Sequence, residues 1–209
     1  MNELISGIKA VVFDLGNVII ELHYDRSVKR LMALTGMGES QVSEMLVTAP
    51  LLQQFEVGAI SEDEFRQSFC DHMNLKFSTE EFDELWNGFL GEISKERLNR
   101  VIQVKQQYQS YVLSNTNSIH ERSFNNSLKM AHSHNAIDEL VDRAYYSHKV
   151  AMRKPDASIY ELLLEQEGLH ANEVLFIDDR LDNIQSASNL GIRTFHNKEV
   201  DLWLDLPLI

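Results

Sequence analysis

Cysteine is almost absent from this chain: Cys70 is the only one. An internal disulfide is therefore excluded, and the usage fits a reducing compartment. Cys70 sits in a helical apolar pattern and is expected to be a small buried side chain. Proline and glycine are also scarce, three and nine in 209 residues, and no low-complexity tract, repeat or flexible linker is visible. No apolar run approaches the length of a membrane span. The first seven residues lack the basic start and apolar core of a secretory leader, so a cytoplasmic location is expected. Positive charge is in short supply, 19 Lys and Arg against 32 Asp and Glu, for a net charge of −13. That balance speaks against nucleic acid or an acidic membrane as partner. An anionic small molecule stays admissible if its counter-charge is local, from a metal ion or a few placed basic residues. A monomer or weak homodimer is the expected state.

What is present starts with residues 10–20, Ala-Val-Val-Phe-Asp-Leu-Gly-Asn-Val-Ile-Ile. An apolar run leading into Asp14 reads as a strand buried on both faces, as in a parallel sheet. Gly16-Asn17 is a turn signal just past the strand's carboxyl end, the edge at which open α/β sheets bind ligands. A carboxylate delivered there is a metal ligand, a nucleophile or the first residue of a turn.

After Ile20 the periodicity turns helical and stays so to about residue 109. Ser61-Glu-Asp-Glu64 and Ser78-Thr-Glu-Glu81 are capping boxes opening amphipathic helices, whose apolar faces carry Phe65, Phe69 and Met73, then Phe82, Leu85, Trp86 and Phe89. Asp25 is placed to cap an earlier helix that Gly36 closes, and Ser94 to cap a helix over 98–108. Strands return at 111–113, 144–146, 173–177 and 191–195, with helices between them. This alternation predicts an α/β fold: a doubly wound parallel sheet over 1–21 and 93–209, with residues 22–92 inserted after the first strand as a helical unit.

Four polar signals sit past four apolar segments: Asp14, Ser114-Asn115, Lys154 and Asp178-Asp179. Singly, each has a plain explanation in turn, cap or loop chemistry. Two adjacent carboxylates at a strand end repel one another and call for a cation. Taken together, the four supply what phosphoryl transfer needs. A carboxylate attacking phosphorus requires anion–anion repulsion to be offset by Mg²⁺ and an ammonium, with a hydroxyl and an amide holding the remaining oxygens.

On these residues the chain resembles the haloacid dehalogenase (HAD) superfamily over essentially its whole length. Phe-Asp-Leu-Gly-Asn-Val-Ile, Leu-Ser-Asn-Thr-Asn and Arg-Lys-Pro together resemble its bacterial α-D-glucose-1-phosphate phosphatase group, related to the phosphatase domain of soluble epoxide hydrolase. The resemblance implies a Rossmann-like core with an inserted cap. It also implies Mg²⁺-dependent hydrolysis of a small phosphorylated metabolite, a sugar phosphate such as glucose 1-phosphate, through an aspartyl-phosphate. Asp14 matches the nucleophile, Ser114 the second-motif hydroxyl with Asn115 beside it as phosphate donor, and Lys154 the lysine between nucleophile and phosphate. Asp179 matches the metal-ligating acid, with Asp178 a second ligand or its support and Asn183 a further polar residue of that motif. Phe55-Glu-Val-Gly-Ala-Ile60 resembles the cap loop that reaches over the family's active site, which makes Glu56 and Gly58 candidate substrate contacts.

One departure matters. Most family phosphatases carry an acid/base Asp two residues after the nucleophile, and here that position is Gly16. Its carbonyl can still ligate Mg²⁺, but it cannot shuttle protons, a loss that typically costs about 10²–10⁴ in rate. A leaving group as acidic as an anomeric hydroxyl suffers least. Of three other readings, a 2-haloacid dehalogenase needs no metal and is opposed by the Asp178-Asp179 pair, and a phosphomutase needs the missing acid/base and is opposed by Gly16. The third, a phosphosugar-binding protein on the same fold, is slightly favoured by Gly16 but opposed by the presence of Asp14, Ser114, Lys154 and Asp179 together.

Overall fold

The computed structural model describes residues 2–48 and 50–208. Met1, Ala49 and Ile209, which the expected segments include, lie outside them. A short helix α1 (Asn2–Ile5) leads into β1 (Ala10–Phe13). Helices α2 (Tyr24–Thr35), α3 (Glu39–Thr48), α4 (Pro50–Glu56), α5 (Glu62–Met73) and α6 (Thr79–Asn87) follow without an intervening strand. Next come α7 (Lys95–Lys105), β2 (Gln109–Ser114), α8 (Ser118–His132), β3 (Arg143–Tyr146), α9 (Ser147–Val150) and α10 (Ala157–Glu167). The chain ends with β4 (Val174–Asp178), α11 (Leu181–Asn189), β5 (Arg193–His196) and a 3₁₀ turn at Leu202–Asp205.

The five strands form one parallel sheet in the order β3-β2-β1-β4-β5, with β1 at its centre. All four residues of β1 are buried. Val11 and Phe13 enter one apolar cluster with Val101, Val104 and Trp203, while Ala10 and Val12 enter the other with Ile159, Tyr160 and Leu163. Period-two alternation thus feeds both faces of the sheet, and helices cover each, which is why the strand reads as uniformly apolar. Edge strand β5 is only half-buried throughout.

The helices between β1 and α7 build a third cluster around Phe65, Phe69, Phe82 and Trp86. Phe55 and Phe65 stack at 4.1 Å between centroids, and Trp86 meets Phe65 edge-on at 4.9 Å. Cys70 is only half-buried against this cluster, because its helix turns that flank outward. Both capping boxes form: Ser61 and Ser78 accept from the N–H of Glu64 and Glu81, and each glutamate reaches back to its serine. Asp25 does not cap α2; it lies one residue inside the helix, and His23 takes the cap position with no side-chain bond. Gly36 closes that helix with φ +72°. The chain leaves and re-enters the sheet through paired segments, with His23 N–H donating to Phe89 O at 2.8 Å and Gly91 N–H to Glu21 O at 2.7 Å.

The helical cluster is joined to the sheet layer through α8. Ile119 is buried inside it, Ser118 Oγ donates to Glu62 at 2.7 Å, and Arg122 forks onto the same carboxylate at 3.0 and 3.1 Å. No helix among the described residues is long and apolar enough to cross a membrane.

Candidate active site

Parallel register places three strand ends side by side. Phe13 lies level with Val112 of β2 and Ile177 of β4, so Asp14, Ser114 and Asp178 emerge at one edge of the sheet. The N–H of Asp14 still donates to Ile177 O at 2.9 Å, which holds the residue in the strand's frame. Lys154 arrives from the segment before α10. Its Nζ is 2.8 Å from Asp14 Oδ1 and 2.7 Å from Asp178 Oδ2, and the side chain is 1% exposed.

The lysine's position is set by Asn115, whose amide donates to Lys154 O and accepts from Lys154 N–H, both at 2.8 Å. This pair of hydrogen bonds uses one N–H and the carbonyl of the Asn115 side chain and ties it to the Lys154 main chain. Ser147 fixes the next residue, accepting from Thr116 N–H at 3.0 Å and donating to Thr116 O at 3.1 Å. Asn117 then caps α8 by accepting from His120 N–H at 3.0 Å.

Asp178 and Asp179 have different surroundings. Asp178 is fully buried, receives Lys154, Arg180 N–H and both contacts from Asn183 Nδ2 at 2.7–3.0 Å, and does not line the cavity. Asp179 does line it, and its Oδ2 accepts from Asn17 Nδ2 at 2.8 Å. Asn17 adopts φ +53°, which turns the chain back immediately after Gly16. Asn197 holds this turn from outside by donating to Asn17 O at 2.8 Å, and Trp203 Nε1 donates to Val18 O at 2.9 Å.

Charge in this cluster is unbalanced. Asp14, Asp178 and Asp179 each bring a carboxylate oxygen within 4.8 Å of the others; among the described residues Lys154 is the one cation in contact with them, and Arg180 adds a weaker pull on Asp179. Burial, followed by the two neighbouring carboxylates, pushes the Asp14 carboxyl up to about 7 despite the opposing pull of Lys154. Burial also raises Asp179, against the Asn17 hydrogen bond. For Lys154 burial works against the charge, but Asp14 and Asp178 overcome it and hold the ammonium above its ordinary range. A divalent cation would relieve this excess, and the donors are hard oxygens of the type Mg²⁺ prefers. The Gly16 carbonyl takes none of the turn's hydrogen bonds, whereas Leu15 O accepts three, so the former is available as a further oxygen donor.

Among the described residues, the N–H groups of Leu15, Gly16 and Asn115 have no protein acceptor, and Ser114 Oγ makes no hydrogen bond to the protein. Leu15, Gly16, Ser114, Asn115 and Lys154 all line one cavity of about 520 Å³, where unpaired donors of this kind can hold an anion. Glu56, Trp86, Phe89 and Leu52, from the inserted helices and the turn after them, line the same cavity. Glu56 is held by Arg153 at 2.9 and 3.2 Å, and burial raises its carboxyl against that pull. Gly58 does not line the cavity. Its φ is +69°, and a Cβ there would lie 2.5 Å from the His148 carbonyl oxygen, so its part is to let the loop close onto α9.

The sequence profile of the haloacid dehalogenase-like hydrolase family matches residues 45–196. The chain belongs to this family. A D-ribitol-5-phosphate phosphatase of Bacteroides thetaiotaomicron is 28% identical to this HAD-like hydrolase over 197 residues, 94% of this chain and 95% of the relative. A HAD family enzyme of the same organism, crystallised with magnesium and inorganic phosphate, superposes with TM-score 0.81 at 29% identity, covering 91% of this chain and 94% of that one. A protein of Porphyromonas gingivalis described as a predicted HAD-like family hydrolase gives TM-score 0.83 at 30% identity, covering 94% and 95%.

Sequence reasoning passes over four residues of the hydrolase site: Asn17 as the partner of Asp179, Ser147, Arg153 as the partner of Glu56, and Asn197. Each acts through a contact spanning 31 to 180 positions. A polar residue beside a motif residue is the one available signal, and only Asn17 and Arg153 carry it.

Proposed function

We propose that this hydrolase is a Mg²⁺-dependent phosphomonoesterase acting on a small phosphorylated metabolite through an aspartyl-phosphate on Asp14. The observation that supports the reading is the set of unpartnered donors of Leu15, Gly16, Asn115 and Ser114 lining one cavity with Asp14 and Lys154. Asp14 Oδ1 is engaged by Lys154, while Oδ2 has no protein partner among the described residues and is the oxygen free to attack phosphorus. Asp14, Asp179 and the Gly16 carbonyl would hold Mg²⁺, and Asp178 would act from beneath by fixing Lys154. Bound there, the cation lowers the repulsion between a phosphate dianion and the attacking carboxylate.

In the first step an Asp14 oxygen bonds to phosphorus as the ester P–O bond breaks, and the departing alkoxide takes its proton from water in the cavity. In the second, water attacks the acyl phosphate's phosphorus and restores Asp14, releasing inorganic phosphate. Lys154 stays charged throughout, and the main-chain N–H groups hold the equatorial oxygens as charge builds. The helices over the site act as a cap that excludes water and selects the leaving group.

Gly16 leaves no acid on the nucleophile's own loop. Sugar phosphates and sugar-alcohol phosphates are the candidate substrates, and among them glucose 1-phosphate should turn over faster than glucose 6-phosphate, because an anomeric hydroxyl leaves with less need of protonation. Gly16 equally favours a second reading, a phosphosugar-binding protein with little turnover. Phosphate release from a panel of sugar phosphates, measured with Mg²⁺, with a chelator and after Mg²⁺ is restored, separates the two. Loss and recovery of turnover is expected. Hydrolysis indifferent to chelation overturns the metal assignment, no hydrolysis with binding retained supports the second reading, and an equal or faster rate on glucose 6-phosphate removes the leaving-group preference.

A further inference from the structure

Asn17 has its N–H, carbonyl, Oδ1 and Nδ2 all engaged. The N–H donates to Ile20 O at 2.7 Å, Leu22 N–H donates to Oδ1 at 3.1 Å, and Nδ2 donates to Asp179 Oδ2 at 2.8 Å. A main-chain N–H can only donate, so the Leu22 contact fixes which way the amide is turned and leaves Nδ2 for the carboxylate. Asp179 Oδ1 accepts nothing among the described residues.

The turn that aims this amide is held from the far end of the chain. Asn197 follows β5 and is buried. Its N–H donates to Asp178 O at 2.9 Å, its Nδ2 to Asn17 O at 2.8 Å, and its Oδ1 accepts from Trp203 N–H at 3.0 Å. Trp203 Nε1 donates to the next turn carbonyl, Val18 O, and its ring lies edge-on to Phe13 at 5.2 Å. Arg97, itself buried, pairs with Asp201, and Arg100 donates to Leu206 O, so this segment is fastened on both sides of Trp203. Two successive carbonyls of the nucleophile turn, with the main chain of Asp178, thus rest on a segment none of whose residues lines the cavity.

A carboxylate turns about its Cα–Cβ and Cβ–Cγ bonds. A hydrogen bond to one oxygen restrains both rotations and presents the other oxygen in one direction, which strengthens its hold on a cation. The donor here sits on a residue at φ +53°, a conformation costly for most side chains that asparagine tolerates. Holding the turn's carbonyls from outside keeps that angle.

We propose that Asn17 is a positioning residue for the metal ligand Asp179, and that Asn197 and Trp203 act through it. The C-terminal segment thereby sets the Mg²⁺ affinity of a site it does not touch. The proposal rests on the assignment of Asp179 to Mg²⁺ and adds the residues that orient this ligand.

Mg²⁺ dissociation constants, read from the rise in unfolding temperature over a Mg²⁺ series without substrate, test it. Asn17→Gly keeps the positive φ and the turn carbonyl and removes only the amide side chain. It should weaken Mg²⁺ binding about tenfold or more, the usual effect of removing a ligand's supporting partner. Asn197→Ala should weaken it in the same direction. The double variant should bind no more than about twofold worse than the weaker single variant, since both changes interrupt one path. Where Asn197→Ala does not fold, Trp203→Phe, which keeps a ring and removes Nε1–H, takes its place with the same expectation. A dissociation constant within about twofold of wild type in Asn17→Gly overturns the proposal. So does a lowered unfolding temperature in chelator with Mg²⁺ affinity unchanged, the mark of a purely structural part. Effects that multiply in the double variant overturn the path through Asn17. Asp179→Asn, which should remove Mg²⁺ stabilisation, separates these outcomes from failure of the underlying assignment. A wild type that gains no stability from Mg²⁺, or an Asp179→Asn that gains as much as wild type, removes the metal assignment and the proposal together.

Discussion

Asp14→Asn should abolish phosphate release while leaving the metal-free protein at least as stable as the wild type. The asparagine keeps the shape of a side chain that is 10% exposed and removes its charge. No other group is positioned to form the covalent intermediate, because Asp178 is buried beneath Lys154 and Asp179 is tied to Asn17. Removing a nucleophile that works with fixed partners typically costs about 10⁵ or more in kcat, which is roughly 7 kcal/mol of barrier. Stability should move the other way. Asp14 is held up to about 7 by burial and two neighbouring carboxylates, so its folded form binds a proton more tightly than the unfolded chain. The metal-free wild type therefore loses stability from this group as pH rises from about 4 toward 7. The variant lacks that loss. Turnover assayed beside thermal unfolding separates a chemical defect from a folding defect, and residual activity within about tenfold of wild type would remove Asp14 from its role.

Lys154→Met should strike both activity and fold, and Mg²⁺ should restore only the fold. Methionine fills most of the volume, yet three carboxylates within 4.8 Å then share no cation. Removing one partner of a buried ion pair costs about 3–5 kcal/mol. The Asn115 bonds to the Lys154 main chain survive the change, so the loop keeps its place and the loss is electrostatic. Added Mg²⁺ replaces the missing positive charge and should raise the unfolding temperature of the variant by more than that of the wild type. Turnover should stay depressed by about 10² or more, since the ammonium also stabilises charge on the transferring phosphoryl group. Equal Mg²⁺ stabilisation of both proteins would contradict a purely electrostatic role for Lys154 in the fold.

How much of this molecule can be read from its sequence depends on whether a contact is local. The buried strands β1 and β4 announce themselves because both faces are covered, which makes every position apolar up to the acidic end of β4. The capping boxes at Ser61 and Ser78 are complete within four residues. Strand β3 is harder, because Arg143 is exposed and Ala144 half-buried where the strand begins. The final residues are not legible at all: Trp203 is fully buried against Phe13, and Leu206 and Leu208 join the same cluster, through contacts almost the length of the chain away. In the site, strand ends mark Asp14, Ser114 and Asp178. The pairs that orient them, Asn17 with Asp179, Asn115 with Lys154 and Glu56 with Arg153, have no period and appear only once the chain is folded. Sequence spacing likewise gives no means of ranking Asp178 and Asp179, whose different burial comes from which one points down at Lys154. Gly58 shows the converse: its motif suggests substrate contact, and its geometry shows clearance from a neighbouring carbonyl.

A covalent phosphoryl group on Asp14 is the central claim. Mass analysis of the Asp14-containing peptide, from enzyme quenched in acid during Mg²⁺-supported turnover, tests it most directly. This peptide is expected to carry one added phosphoryl group, and the adduct should be absent after chelation and in Asp14→Asn. Steady turnover with that peptide unmodified, or with the phosphoryl group on another residue, would contradict it.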